Sequence, residues 1–395
     1  MVLALAVIGC ERTGPFDQTQ EDGHMKQGIS KGRSRRLAVV FGAAAMVAGS
    51  FTVGAISTVG VATAGAATSF KACVVTDTGG INDKSFNASA WQGLKDAKKA
   101  DKNISISYLS STSSSDYIPN ISKFIKEDCG IIVTVGFLMD SATATLSNNH
   151  LKQKFAIVDD VPTTKSKNVL ALTYDTNQGA FLSGYLAAAE TKTGTVATFG
   201  GANIPPVTIY MDGFVAGVRY FNKQNGKSVK VLGWTPTPGR AAGSFAGTGD
   251  FVGNFTDQTA GQTLTAGDFA AGADIVFPVA GSVGLGAVAA AKAAGTGHKI
   301  IWVDTDGCIN DAPDCSWFLS SATKGVEPSV DAAVLAAAKG TFKGGTYVGT
   351  LKNNGTGTTV DSPSVSASLK AELKTLTAGI EKGTISVDPT TYPAS

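Results

Sequence analysis

The chain has 395 residues, 16% of them charged and 43% hydrophobic, with a formal net charge of +2. That length supports two domains with separate cores, and a near-neutral balance excludes the concentrated basic face that nucleic-acid binding needs. The three histidines, His24, His150 and His298, stand far apart and leave little for acid–base or metal chemistry.

The first 24 residues do not fit the rest of the chain. Val7-Ile8-Gly9-Cys10 looks like a lipidation box, but no basic residue precedes it and a second signal comes later. Residues 1–24 are therefore read as an over-extended start, with Met25 the natural initiator. Lys26, Lys31, Arg33, Arg35 and Arg36 then lead into an uncharged Ala/Val/Gly run from Leu37 to about Ala67. With the small residues Ala62-Thr63-Ala64 and Ala64-Gly65-Ala66, this describes a secretory signal over 25–67. The run is long enough to span a bilayer, so an uncleaved anchor is the alternative. Ser34-Arg35-Arg36-Leu37 hints at twin-arginine export. The cysteines beyond the signal, Cys73, Cys129, Cys308 and Cys315, are an even set on an exported chain and compatible with disulfides. Cys308 and Cys315 bracket a short polar loop and suit a local bridge. Cys73 with Cys129 makes the second pair, on the expectation that the strands they adjoin are neighbours.

From Phe70 onward, apolar runs alternate with amphipathic stretches. Strands are expected at 71–76, 104–109, 131–135, 155–158, 169–173, 194–199, 229–233, 274–278 and 299–304. Helices are expected at 86–99, 117–126, 140–149, 179–191, 207–222, 260–271 and 283–294, with further apolar and helical stretches at 317–321 and 330–339. Residues 234–253, rich in Gly, Pro and Thr, read as a loop, and 369–381 as a C-terminal helix. This alternation implies an α/β protein with parallel sheets covered on both faces. Because it restarts near Gly194, two lobes are expected. The first takes 69–175, about 304–325 and the C-terminal helix; the second takes 178–302 and about 326–362.

In such sheets ligands sit at the carboxyl ends of strands. After the first strand comes Asp77-Thr78-Gly79-Gly80-Ile81-Asn82-Asp83-Lys84-Ser85-Phe86-Asn87, which combines acceptors with a flat ring and an amide. Helix capping by Asp83 or Ser85 is the bland reading, but it does not account for Asp77, Phe86 and Asn87 together. Phe137, Met139 and Asp140 follow the third strand, and Phe255 stands among polar groups at a helix start. Gly281 opens a Gly-rich turn in which Gly284, Gly286 and Ala289 fit a dinucleotide fingerprint, with Asp304 downstream. An exported dinucleotide-dependent enzyme is the reading this allows. No proton donor stands near except His298, and no nucleophile elbow or zinc motif occurs. Asp159 and Asp160, adjacent on an extended segment, point to opposite faces and cannot act on one atom. Asp304 and Asp306 can share a face, as caps, as a cation site or as a grip on a vicinal diol.

These stretches resemble the basic membrane protein family of ABC-transporter substrate-binding proteins, which includes purine-nucleoside receptors. The likeness is carried by Asp77–Asn87, Gly136–Met139, Tyr174–Tyr185, Asp212-Gly213-Phe214, Ala216-Gly217-Val218, Gly272–Pro278 and Ser320–Lys324. It implies a two-lobed periplasmic-binding fold with hinge crossovers, no catalysis, no cofactor, no metal, and a membrane permease as partner. Carried over, Asp77 and Asn87 would bond a purine base that Phe86 and Phe255 stack upon, and Asp304 would hold ribose hydroxyls beside Lys324. In two respects the chain departs from the family. No cysteine ends the signal, which leaves membrane attachment open, and the acidic residue after Gly136–Met139, Asp140, is displaced by one position. The segments Pro236–Gly249 and Cys308–Cys315 are expected to flank the cleft. A ligand-sensing surface protein on the same fold is the alternative to transport.

Overall fold

The computed structural model describes residues 69–164, 166–241 and 243–394. Residues 1–68, on which the expected over-extended start, Cys10 and the expected signal fall, lie outside the described residues. No helix among the described residues is long and apolar enough to cross a membrane.

Lobe 1 begins with β1 (Phe70–Thr76), α1 (Phe86–Ala100), β2 (Ile104–Ser110), α2 (Tyr117–Lys126), β3 (Ile131–Val135), α3 (Asp140–Asn149), β4 (Phe155–Val158) and β5 (Val169–Tyr174). The chain crosses to lobe 2 for α4 (Thr176–Glu190), β6 (Thr195–Gly200), α5 (Pro205–Asn225), β7 (Lys230–Leu232), β8 (Trp234–Pro236), β9 (Gly247–Gly249), α6 (Gln258–Ala270), β10 (Ile275–Val279), α7 (Val283–Ala294), β11 (Lys299–Asp304), α8 (Gly307–Asn310) and β12 (Phe318–Lys324). It returns to lobe 1 for α9 (Val326–Ala338) and β13 (Gly345–Gly349), then ends on lobe 2 with β14 (Thr356–Val360) and α10 (Ala367–Glu381).

The lobe-1 sheet runs β13-β5-β4-β3-β1-β2, and all its pairs are parallel. The lobe-2 sheet runs β14-β12-β11-β10-β6-β7, parallel except for the antiparallel edge strand β14. β3 reads Ile-Ile-Val-Thr-Val and every residue of it is buried, because helices cover both faces. Leu94 of α1 and Val330 and Val334 of α9 pack on one face of this sheet, Ile121, Phe124 and Leu146 of α2 and α3 on the other. In lobe 2, α4, α5 and α10 cover one face while α6 and α7 cover the other. α5 starts on Pro205-Pro206, where the missing amide hydrogens cost no helical bond, and stops at Gly226 with φ 61°. Cys73 is joined to Cys129 inside lobe 1, and Cys308 to Cys315 on lobe 2.

Strand pairing corrects the expected division of the chain. Residues 304–325 do not belong to lobe 1, since β12 pairs with β11 in the second sheet. The C-terminal helix also belongs to lobe 2, where Leu369, Leu373 and Leu376 are buried with Phe181 and Tyr185 of α4. Conversely α9 and β13, expected in lobe 2, complete lobe 1: β13 adds to the free edge of β5. The crossovers are tied together, Asp175 N donating to Gly349 O at 2.8 Å and Gly325 N to Gly355 O at 2.9 Å. The expected loop 234–253 holds the small antiparallel pair β8–β9.

Candidate functional site

The carboxyl ends of β1, β3 and β4 of lobe 1 and of β10, β11 and β12 of lobe 2 converge on one cleft, together with the start of α5 and the loop before α6. The cavity left between the lobes is small, about 60 Å³. Asp77, Asp83, Phe86, Asn87, Phe137, Phe255, Gly281, Asp304 and Lys324 all line it. Of the remaining residues singled out in the sequence, Met139 is fully buried in the lobe-1 core. Asp140 starts α3 off the lining, its carboxyl facing Asp160; burial and this neighbour push Asp160 up to about 7. Asp306 is off the lining too. It caps α8, accepting from Ile309 N at 3.1 Å. The expectation that Asp304 and Asp306 share a face fails because Asp304 has φ 66°, which breaks the alternation of the strand.

The turn between β1 and α1 is organised by two carboxylates. Asp83 accepts from Ser85 N, Asn87 N and Ala88 N at 2.8–3.0 Å and so caps α1, yet burial pushes its carboxyl up to about 6. Asp77 accepts from Asn87 Nδ2 at 2.9 Å and from Gly79 N at 3.1 Å; burial raises its pKa against these bonds. Gly136, with φ 114°, lets the chain pass where a Cβ would stand 2.8 Å from Asp77 Oδ2. Asn87 Oδ1 is buried with no protein partner among the described residues, an acceptor left for a ligand donor.

Lys324 forms the charged centre of the cleft. Its Nζ is hydrogen-bonded to Asp159 of lobe 1 and lies 3.3 Å from Asp304 Oδ1 of lobe 2. The ammonium also sits 4.9 Å from the Phe86 ring centre, 5.1 Å from that of Tyr210 and 5.9 Å from that of Tyr174. Burial works against its charge, but Asp159 and Asp304 outweigh it and hold the pKa above the ordinary lysine value. Burial pushes Asp159 up to about 6, opposed by Lys324. Asp159 and Asp304 both take left-handed backbone, φ 64° and 66°, at the ends of β4 and β11. Asp304 already has three protein donors: Ser85 Oγ at 3.0 Å, Tyr210 Oη at 3.1 Å and Lys324. A carboxylate offers about four acceptor positions. One therefore remains for a ligand hydroxyl, not the two that a bidentate diol grip requires.

Two polar contributors are not anticipated from the sequence. Asp159 is passed over there because adjacent carboxylates cannot share a substrate atom, although its place at a strand's carboxyl end is a signal for the cleft. Tyr210 sits within α5 and carries no signal. Two expected flanks are corrected. Among the described residues, none of Pro236–Gly249 lines the cleft: Arg240 NH2 lies 2.6 Å from Asp212 Oδ2 and binds that segment to the body of lobe 2. The Cys308–Cys315 segment also stays off the lining. The glycines of the dinucleotide-like motif have a packing role, since a Cβ on Gly286 would lie 1.9 Å from Gln258 O of α6.

The family model described as ABC transporter substrate-binding protein PnrA-like matches residues 70–238 and 249–388, skipping most of the Arg240 segment. The nucleoside-binding protein BmpA of an ABC transporter from Lactococcus lactis is 31% identical over 304 residues, 73% of this chain and 81% of that protein. Basic membrane protein A1 of Borrelia garinii is 31% identical over 281 residues, 70% of this chain and 76% of that protein. Among solved structures, an ABC transporter solute-binding protein from Aeropyrum pernix superposes with a TM-score of 0.69 at 22% identity, covering 80% of this chain and 92% of that one.

Proposed function

We propose that this chain, which belongs to the PnrA-like family of ABC transporter substrate-binding proteins, captures a purine nucleoside outside the cytoplasm and presents it to a membrane permease. One observation carries the choice of ligand. Phe86 from lobe 1 and Phe255 from lobe 2 line a single cleft whose remaining polar groups are mostly acceptors: Asp77, the orphan Asn87 Oδ1 and Asp304. A flat base with N–H donors and a hydroxylated sugar complements this lining, and the name of the Lactococcus relative agrees with it. Four carboxylates against one ammonium disfavour phosphorylated ligands. The basic segment before residue 37 and the two disulfides support export.

Calorimetry against purine and pyrimidine nucleosides, free bases, ribose, amino acids and nucleoside monophosphates tests the proposal. Purine nucleosides are expected to bind, and their monophosphates at least about tenfold more weakly. Phe86→Ala is expected to weaken nucleoside binding about tenfold or more, as loss of one stacking ring predicts. Binding confined to sugars or amino acids refutes the assignment, and unchanged affinity with a lowered melting temperature makes Phe86 a core residue.

A further inference from the structure

We propose that the disulfide-closed loop Cys308–Cys315 is a latch that holds the lobes shut and sets how long a ligand stays bound. It presupposes a protein that closes over its ligand, as proposed above, and concerns residues that do not touch that ligand.

The loop leaves lobe 2 after β11 and is tied to its own lobe on several sides. Cys308 is bonded to Cys315 seven residues on. Lys292 Nζ, from α7, lies 2.5 Å from Asp314 Oδ1, and Lys299 Nζ donates to Ser316 O at 2.6 Å. In the middle stands Asp311, its carboxylate only 2% exposed and its backbone N donating to Gly307 O at 2.7 Å. Asp311 Oδ1 accepts from Lys84 Nζ of lobe 1 at 2.5 Å, while Oδ2 is buried with no hydrogen-bond partner among the described residues.

Lobe 2 also holds the backbone of that lysine. Lys84 O accepts from Thr305 Oγ1 at 2.9 Å and from Trp302 Nε1 at 3.4 Å. Lys84 itself has φ 56°, an uncommon conformation for a residue with a side chain. The next residue, Ser85, donates to Val303 O and Asp304 Oδ2, both at 3.0 Å. Through Lys84 the latch thus adds to lobe 2's hold on the turn that leads into Phe86 and Asn87 at the start of α1. Yet neither Lys84, Asp311 nor either cysteine lines the cleft.

Charge makes this contact conditional on closure. In the closed form Asp311 is removed from water and depends on the Lys84 ammonium; when the lobes part, water solvates both. The disulfide confines the eight-residue loop so that Asp311 is already presented when lobe 1 arrives. A change in the closed fraction alters apparent affinity in proportion, and among variants of one interface it alters release more than association.

The test measures stopped-flow release of inosine or guanosine, with small-angle scattering of the ligand-free protein alongside. Lys84→Met and the double variant Cys308→Ser/Cys315→Ser are each expected to speed release about three- to tenfold, a loss between those of exposed and fully buried pairs. Adding Asp311→Asn to Lys84→Met should restore part of the loss, because no bare carboxylate then remains to bury. Combining Lys84→Met with the double serine variant should add little to the larger single effect. Unchanged release in Lys84→Met, or fully multiplicative effects, overturns the latch. Far-UV circular dichroism monitors folding; if the double serine variant does not fold, Lys84→Met and its Asp311→Asn partner decide alone. If the parent protein binds no nucleoside, the ligand assignment fails and scattering decides on the latch. A larger radius of gyration in Lys84→Met then supports it, and equal radii overturn it.

Discussion

Replacing Lys324 by Met keeps the apolar stem but removes the only ammonium among the described residues that line the cleft. Asp159 and Asp304, with side chains 7% and 8% exposed, lose the cation between them. Breaking a buried ion pair by deleting one partner costs about 3–5 kcal/mol. Two relaxations limit that cost. Asp159, already pushed up to about 6 by burial, rises further without the attraction of Lys324 and takes up a proton. Each pH unit by which the medium exceeds the carboxyl pKa makes that protonation about 1.4 kcal/mol more costly. Alternatively the lobes part, returning Asp159 and Asp304 to water on separate bodies. At about pH 7.5 the closed state should thus lose about 2–4 kcal/mol, which weakens ligand binding roughly 30- to 1000-fold. The urea midpoint should fall less, since opened lobes keep their cores. Towards about pH 5.5, where a protonated Asp159 needs no counter-charge, the difference from the parent should shrink. Adding Asp159→Asn should recover at least half of the loss. Calorimetry at three pH values beside urea unfolding reads all of this. An affinity within threefold of the parent, with no added pH dependence, refutes the view of Lys324 as the charge that joins the lobes.

Asp304→Asn should weaken ribonucleosides about tenfold or more, since a hydrogen bond to a charged group is worth roughly 1.5–3 kcal/mol. Deoxyribonucleosides should bind the parent less tightly and lose less on this change, and equal binding in both proteins removes Asp304 from sugar recognition. Asp83 is raised to about 6 in the fold, so the native state holds the extra proton between about pH 4 and pH 6. Its contribution therefore increases stability on acidification through that window and is lost as pH rises through about 6, by roughly 3 kcal/mol at most. Asp83→Asn should flatten that stretch of the urea-midpoint profile, and an unaltered profile refutes the shift. Removing Cys73–Cys129, whose partners stand 56 residues apart, as a double alanine should cost about 4 kcal/mol by loop entropy. Peptide mapping without reduction that finds these thiols free contradicts the pairing itself.

The parallel strands of both sheets are legible because helices cover each face and leave continuous apolar runs, as in β3 and β10, where every residue is buried. Periodicity does not encode which sheet a late segment joins. β12 and α9 are separated by Gly325 alone, yet they belong to different lobes. β13 and β14, rich in Gly and Thr, lie at sheet edges with much of their length away from the core, so no apolar run marks them. In the cleft, Asp77, Phe86 and Asn87 stand out as a local cluster after a strand. Asp159 escapes because its partner, Lys324, is 165 residues away. Asp306 misleads because the i, i+2 rule holds only for extended backbone, and Asp304 is left-handed.

The chain's two returns between lobes also bear on its synthesis. A nascent chain that has emerged only as far as β12 has made five of the six strands of the lobe-1 sheet. The face later sealed by Val330 and Val334 of α9 then still exposes Ala72, Val74, Val133 and Ala156. The first half of the protein thus cannot mature before most of the second half exists, and any fragment ending ahead of residue 326 carries an open apolar surface prone to association. The native state is thus completed only when the chain is nearly finished. This makes premature termination far more damaging than loss of the last few residues.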